Sequence, residues 1–207
     1  MTGLLAIERA SPRRRVLITR PVTRVEPFRE GLRVGERVPV WKLEYGLMLF
    51  SGNDDARALA LAVSGSRGRF VALMNATARR LGLRDTHYAS PSGLVDDAGG
   101  SSAYDLAALA RYALRDPRFA RLVRTRTKRV RWPAPTYAKV YVNKNRLLTT
   151  YRGADGVKTG WTTKARHCLV ASAHRSGTRL IAVVLGSPDA YADARRLLNF
   201  GFRLEGT

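Results

Sequence analysis

Two short motifs hold the residues whose types and spacing suggest chemistry, Ser51-Gly52-Asn53 and Lys158-Thr159-Gly160. Together they supply a hydroxyl, a carboxamide and an ammonium group, the side-chain groups found in acyl-transfer sites that work through a serine. Each triplet alone arises often by chance. How strongly each triplet indicates a function therefore depends on the helix, strand or loop that carries it and on the order of the motifs along the chain.

The serine motif lies at a predicted junction between two helices. Pro39 is typical of a helix start, and apolar residues continue at helical spacing as far as Phe50. A second helix follows at once and ends before Gly65, and Asn53 or Asp54 is suited to cap its first turn. The motif is therefore predicted to form a polar corner between the two helices.

The lysine motif lies where the apolar period changes to two, which predicts strands. Ser176-Gly177 is a hairpin turn signal, and Ser187-Pro188 opens a last helix. The extended runs span residues 125–132, 139–143, 157–163, 167–175 and 179–185. Helices followed by an antiparallel sheet and one closing helix predict a single α+β domain over residues 1–207.

Four longer segments extend the two triplets: YGLMLFSGND at 45–54, FVALMN at 70–75, LGLRDTH at 81–87 and DGVKTG at 155–160. On these residues nearly the whole chain resembles the low-molecular-mass penicillin-binding proteins, the serine D-alanyl-D-alanine carboxypeptidases of peptidase family S11. Related enzymes carry S-x-x-K, an S-D-N-type triplet and K-T-G in that chain order. The resemblance implies a β-lactamase/transpeptidase-like fold, an antiparallel sheet with a helical subdomain.

The same resemblance implies an activity and a cellular location. A family member removes the terminal D-alanine from peptidoglycan stem peptides that end in D-Ala-D-Ala, through an acyl-serine intermediate. It needs no metal and no organic cofactor, and β-lactam antibiotics inhibit it. The expected location is the periplasm or cell envelope, and the expected partner is cell-wall peptide rather than nucleic acid.

Roles for individual residues also follow from the resemblance. Ser51 would relay a proton toward the leaving amine, and Asn53 would hydrogen-bond a substrate amide. Lys158 would keep the site positive and, with Thr159, would receive the terminal carboxylate through a charge-assisted hydrogen bond.

The residues that follow in the lysine motif would contact the substrate backbone. Gly160 has no side chain, so an extended peptide can lie close to the strand. The backbone N–H of Trp161 would be one donor of the oxyanion hole. The substrate would then add as an extra strand beside residues 157–163.

The S-x-x-K motif, which would supply the nucleophile and the base, is not found in the sequence. Met1 to Ala6 resembles the stretch just after that motif, and a helix that starts at Met1 lacks a cap. We therefore expect a chain that is truncated at its N terminus, inactive as given, and short of a signal peptide and of the first strands of its sheet. Other candidate serines lack a lysine three residues later: Ser64, Ser66, Ser90, Ser92 and Ser101.

Two expectations concern the strands. The missing first strands would leave residues 179–185 as an open sheet edge. Arg166 stands where the family often has glycine, so a backbone conformation that favours glycine is either relaxed there or adopted with strain.

The amino-acid composition limits the classes of protein to which the chain could belong. The 207 residues carry 37 Lys and Arg against 16 Asp and Glu, so the net charge is +21, which by itself favours a nucleic-acid binder. The 45% of hydrophobic residues exclude a disordered basic tail. Cys168 is the only cysteine, and the three histidines form no metal-binding pattern, so a disulfide framework and a zinc cluster are not expected.

Three further interpretations stay open. The chain could be a non-catalytic module that binds cell-wall peptides, or a basic nucleic-acid-binding protein, although no recognition motif supports the second. Ser51 and Asn53 could act only as helix caps, and Lys158 could be a solvated strand lysine. The basic run over residues 121–131 could bind a polyanion or form a solvated hairpin face.

Overall fold

The computed structural model describes residues 1–94, 98–131 and 138–206. These residues form two compact units, Met1–Ser101 with Thr127–Val142, and Ser102–Arg126 with Asn143–Thr207. Each unit takes two stretches of the chain. The expectation of a single domain over the whole chain stays a prediction.

The first unit is mainly helical. Its helices are α1 (Thr2–Arg9), α2 (Arg20–Thr23), α3 (Val40–Tyr45), a π-helix (Gly46–Phe50), α4 (Asn53–Ser64) and α5 (Arg67–Arg80). Its strands are β1 (Arg15–Leu17), β2 (Arg37–Pro39), β3 (Thr127–Val130) and β4 (Lys139–Val142). The strands form two antiparallel pairs, β1 with β2 and β3 with β4.

Apolar helix faces meet in the core of this unit. Leu5 of α1, Ala60 of α4, and Phe70 and Met74 of α5 are all buried in one cluster. Gly65 ends α4 with φ +73°, which glycine adopts at little cost, and the Ser66 side chain caps α5. No side chain caps the start of α1, as the sequence predicts.

The second unit carries the main sheet. Its helices are α6 (Ala103–Ala113), α7 (Pro117–Arg124), α8 (Leu147–Thr150) and α9 (Ala190–Leu204). Its strands are β5 (Ala154–Thr162), β6 (Arg166–Arg175) and β7 (Thr178–Ser187), antiparallel in that order. The α+β prediction is confirmed, and side chains of Ser102, Asp116 and Asp189 cap α6, α7 and α9.

The predicted single sheet is wrong in one respect. The run at 139–143 and the described part of the run at 125–132 form the separate β3–β4 pair, and Trp132 lies outside the described residues. A period of two predicts a strand but not its partner. The chain leaves β4, forms α8, and only then enters β5.

The predicted hairpin turn is confirmed. Ser176 and Gly177 have φ of +44° and +86° and join the paired residues Arg175 and Thr178, the geometry that two-residue hairpin loops require. Of the two alternatives for Arg166, the strained one is found, because its φ is +56°. No described helix is long and apolar enough to cross a membrane.

Helix α9 covers one face of this sheet and supplies much of the core. Leu169 and Ala171 of β6 are buried with Ala194, Leu198 and Phe202 of α9. Because β6 is the middle strand, β5 and β7 are the two outer strands of the described sheet. The K-T-G triplet therefore lies on an outer strand, where backbone groups on one side have no partner strand among the described residues.

Candidate active site

Ser51 lies at the corner that the sequence predicts. It follows the π-helix in the left-handed conformation, with φ 72° and ψ 40°. The N–H groups of Ser51 and Gly52 both donate to the carbonyl oxygen of Gly46, at 2.9 and 3.2 Å. Wide helical turns and non-glycine residues at positive φ are both concentrated at functional sites, so the corner carries two such signals.

Asn53 begins α4 and is held by the loop that precedes the corner. Its backbone N–H donates to the carbonyl oxygen of Phe28 at 2.8 Å, and its Nδ2 donates to that of Glu26 at 2.8 Å. The side chain is therefore fixed in one orientation, and the residue is 8% exposed. An amide oriented in this way is suited to a directed hydrogen bond with a ligand.

The predicted capping of α4 is wrong. The residue before the helix is Gly52, and no side chain caps the first turn. The Asp54 carboxylate instead accepts the N–H groups of Glu30, Gly31 and Leu32, at 2.8, 2.9 and 3.0 Å. Asp54 therefore ties the loop at 30–32 to the corner, which the capping interpretation of Asn53 and Asp54 did not foresee.

A buried group of polar side chains lies beneath the corner. The Glu30 carboxylate accepts from Nζ of Lys139 at 2.6 Å and from the hydroxyl of Tyr141. A Cβ added at Gly46 or Gly52 would clash with the Asp55 carboxyl group, so Asp55 packs directly against the backbone on both sides of Ser51. The residues of this cluster come from three segments that lie far apart in sequence: Glu30, Asp55, and the pair Lys139 and Tyr141.

The surroundings of Asp55 disfavour the charged form of its carboxyl group. It is fully buried, and neither of its carboxyl oxygens nor Oε2 of Glu30 meets a hydrogen-bond donor among the described residues. Burial, together with the carboxyl groups of Glu30 and Asp54, raises the pKa of Asp55 well above its usual range. A proton shared between Asp55 and Glu30 supplies the missing donor, because a protonated carboxyl group donates as well as accepts.

Lys158 lies on β5, paired with Val170 of β6. Its Nζ donates to the carbonyl oxygen of Thr159 at 2.8 Å. Burial and the ammonium group of Lys144 lower the pKa of Lys158 to about 8. A solvated strand lysine does not have these properties, so that interpretation does not fit the structure.

Asn145 supports the strand that carries Lys158. It is 2% exposed, its Nδ2 donates to the carbonyl oxygen of Gly156 at 2.9 Å, and its Oδ1 accepts from the N–H of Leu147 at 3.1 Å. A buried carboxamide with both ends bonded fixes the entry of the chain into β5.

The remaining residues of the lysine motif follow along β5. Gly160 is exposed, and a Cβ added there would meet only Cβ of Cys168, at 3.8 Å. Packing inside the chain therefore does not demand glycine at this position. Trp161 is 61% exposed and its ring lies 6.3 Å from that of His167.

The structure groups the predicted residues into two sets. Ser51 and Asn53 share the corner of the first unit, and Lys158 to Trp161 lie in a row on β5 of the second. Sequence reasoning missed Glu30, Asp55 and Asn145. Asp55 had a signal, because it lies four residues before Leu59 on the apolar face of α4.

Comparisons with known proteins identify the family. A family model described as D-alanyl-D-alanine carboxypeptidase, peptidase S11, matches residues 9–189. The chain belongs to peptidase family S11. Among curated relatives it is 39% identical over 175 residues to the D-alanyl-D-alanine carboxypeptidase DacF of Bacillus subtilis, covering 83% of this chain. It is 38% identical over 196 residues to the D-alanyl-D-alanine carboxypeptidase of Streptomyces sp. strain K15, covering 86% of this chain.

Solved structures confirm the fold of this S11 chain. The Streptomyces K15 DD-transpeptidase superposes with a TM-score of 0.90 at 31% identity, covering 98% of this chain and 84% of that one. A D-alanyl-D-alanine carboxypeptidase from Mycobacterium tuberculosis gives 0.89 at 33% identity, covering 98% and 80%. The chain spans 44% of the Bacillus relative and 66% of the curated Streptomyces relative.

Proposed function

We propose that this chain is the substrate-binding part of a serine D-Ala-D-Ala carboxypeptidase, which removes the terminal D-alanine from peptidoglycan stem peptides. Family membership supports the reaction class. The observation that carries the proposal is Lys158, a partly buried lysine on an outer strand with a pKa of about 8.

The carboxylate end of the substrate binds along β5. The outer edge of this strand offers backbone N–H and C=O groups to an added strand, as in other peptide sites that extend a sheet. Lys158 and Thr159 receive the terminal carboxylate, and the N–H of Trp161 donates to the oxyanion that forms at the attacked carbonyl. The exposed backbone at Gly160 allows the peptide to approach closely.

The corner residues act at the scissile amide. Asn53, whose amide is oriented by Glu26, binds a substrate amide. In an enzyme that carries the serine nucleophile, the proton that this nucleophile releases would pass through Ser51 to the leaving nitrogen of D-alanine, as the acyl-serine ester forms and the amide C–N bond breaks. Ser51 holds a left-handed backbone conformation, which is costly for a residue other than glycine and is concentrated at functional sites.

The acyl-serine step needs a nucleophile, and none of the serines in the 207 residues is followed three residues later by lysine. We therefore propose that this chain by itself binds the peptide without forming the acyl ester. The same observation favours the second candidate, a module that binds cell-wall peptides without turnover. Labelled penicillin separates the binding chain from an enzyme, because a covalent adduct on any serine of this chain would show an active nucleophile.

The natural partners would be stem peptides that end in D-Ala-D-Ala, with β-lactams as inhibitors of the complete enzyme. These peptides belong to the cell wall, so the proposed place of work is the periplasmic side of the cell envelope. No metal takes part in the proposed steps. Among the described residues, no group of three His, Cys, Asp or Glu side chains could hold a metal ion.

Equilibrium binding tests the proposal. A peptide ending in D-Ala-D-Ala should bind more tightly than its L-Ala-L-Ala isomer, and Lys158→Ala should weaken binding by about tenfold to hundredfold, because a charge-assisted hydrogen bond is lost. Lys164→Ala, an exposed lysine of the same unit, is the matched control and should change little. Equal binding of the two isomers would refute the proposal.

A further inference from the structure

A cavity of about 530 Å³ opens beside Asn53 in the first unit. The residues that line it include Arg24, Arg57 and Arg67, with Glu26 and Ser90. Its size falls within the range of roughly 300 to 1,000 Å³ that small-ligand sites occupy. The cavity therefore has room for a side chain of a bound peptide.

The charge in this cavity is not balanced. Three arginines and one carboxylate residue, Glu26, line it, and no carboxylate of the described residues forms an ion pair with any of the three arginines. Arg67 donates from Nη2 to the carbonyl oxygen of Ala89 at 3.0 Å. This hydrogen bond fixes the position of the guanidinium group, and because a carbonyl group is uncharged, the positive charge is not neutralised. The cavity is positive and has donors to offer.

Two of the arginines repel each other. Burial and the charge of Arg67 lower the pKa of Arg57, so the fold holds two cations close together at a cost. Such an arrangement binds an anion well, because the anion relieves the repulsion. Guanidinium groups bind carboxylates in a planar, two-bond geometry, which makes a carboxylate the natural occupant.

The position of the cavity indicates which part of a ligand it receives. Asn53 lines it, and Asn53 is the residue proposed to bind a substrate amide. A ligand held by Asn53 therefore has its neighbouring groups within reach of the arginines. The carboxylate at the D-alanine end is already assigned to Lys158, so the cavity serves a different carboxylate.

We propose that this cavity is a specificity site for a free side-chain carboxylate on the stem peptide, upstream of its D-Ala-D-Ala end. The inference rests on the proposed function for the identity of the peptide. A peptide in which that carboxylate is replaced by a carboxamide would lose the ionic contact with Arg57 and Arg67.

Calorimetry with four peptides tests the proposal: the side-chain acid and its carboxamide, each ending in D-Ala-D-Ala or in L-Ala-L-Ala. The acid should bind about tenfold more tightly than the carboxamide, as expected for one charge-assisted contact. Arg57→Gln and Arg67→Gln should each reduce this preference. Arg69→Gln changes an exposed arginine of the same helix that does not line the cavity, and should preserve it.

The outcomes distinguish a failure of the cavity site from a failure of the proposed D-Ala-D-Ala function. Binding of D-Ala-D-Ala peptides without preference for the acid would overturn the cavity site and leave the proposed function standing. Preference for the acid that Arg57→Gln abolishes, together with equal affinity for the D and L peptides, would support the cavity site and refute the D-Ala-D-Ala function. If none of the four peptides binds, or if Arg57→Gln in a folded protein keeps the full preference, the cavity proposal is refuted.

Discussion

The buried carboxyl group of Asp55 should make the stability of this chain depend on pH, and Asp55→Asn should remove that dependence. Asp55 is fully buried, and its raised pKa means that the folded chain keeps a proton that the unfolded chain releases. An asparagine at this position fills the same space. It can donate an amide N–H to Oε2 of Glu30 without needing that proton.

The size of the expected change in the free energy of unfolding follows from the binding of one proton by Asp55. An aspartate in the unfolded chain has a pKa of about 3.9 and is almost fully ionised by about pH 5. The stabilisation from a group with a raised folded-state pKa is complete below the unfolded pKa and is lost as the pH rises toward the folded pKa. Each pH unit between the unfolded and the folded pKa removes about 1.4 kcal/mol, so the stability of wild type relative to Asp55→Asn should fall between about pH 5 and pH 7, at a rate of up to about 1.4 kcal/mol per unit.

Urea unfolding of the two proteins across that pH range measures this difference in the free energy of unfolding. Asp85→Asn, which neutralises an exposed aspartate of the same unit, is the control for the loss of a carboxylate from the protein surface. A constant difference between wild type and Asp55→Asn, or an Asp55→Asn protein that is less stable at pH 7, would refute a protonated Asp55 in the fold.

Three further substitutions test local features, each by urea unfolding. Gly52→Ala should cost about 1 to 3 kcal/mol, because the new Cβ clashes with Asp55, whereas Gly68→Ala, whose Cβ meets nothing within 4 Å, should not destabilise. Arg166→Gly should add about 1 kcal/mol by relieving a positive φ, and a loss would contradict the strain. Asn145→Ala should cost about 1 to 3 kcal/mol, because a buried carbonyl loses its donor.

Local signals in the sequence predicted much of the fold. The corner at Ser51 follows from two helical patterns that meet at a glycine-containing polar triplet, and the hairpin at Ser176-Gly177 follows from turn chemistry alone. The placement of Lys158 in a strand follows from the period of two. These features depend on residues within a few positions of each other, which is why a single sequence reveals them.

Features that depend on distant residues were not predictable in the same way. Glu30 and Lys139 are 109 positions apart and form an ion pair, and the carboxyl groups of Glu30 and Asp55 both lie beside Gly46. The period of two also could not show that β3 and β4 pair with each other and leave the main sheet with three described strands. The arginine cavity likewise gathers Arg57 of α4, Arg67 of α5 and Arg24, which follows α2, and no local pattern connects them.

Titration of Lys158 by NMR, with the lysine side chains labelled at Cε, shows whether this residue receives the carboxylate of a bound D-Ala-D-Ala peptide. The chain has six lysines, and Lys158→Arg identifies the signal. We expect Lys158 to titrate at about pH 8 in the unliganded chain, and a bound D-Ala-D-Ala peptide to raise this pKa, because its carboxylate stabilises the ammonium form. An unchanged Lys158 pKa at saturating peptide would show that Lys158 does not bind the peptide carboxylate.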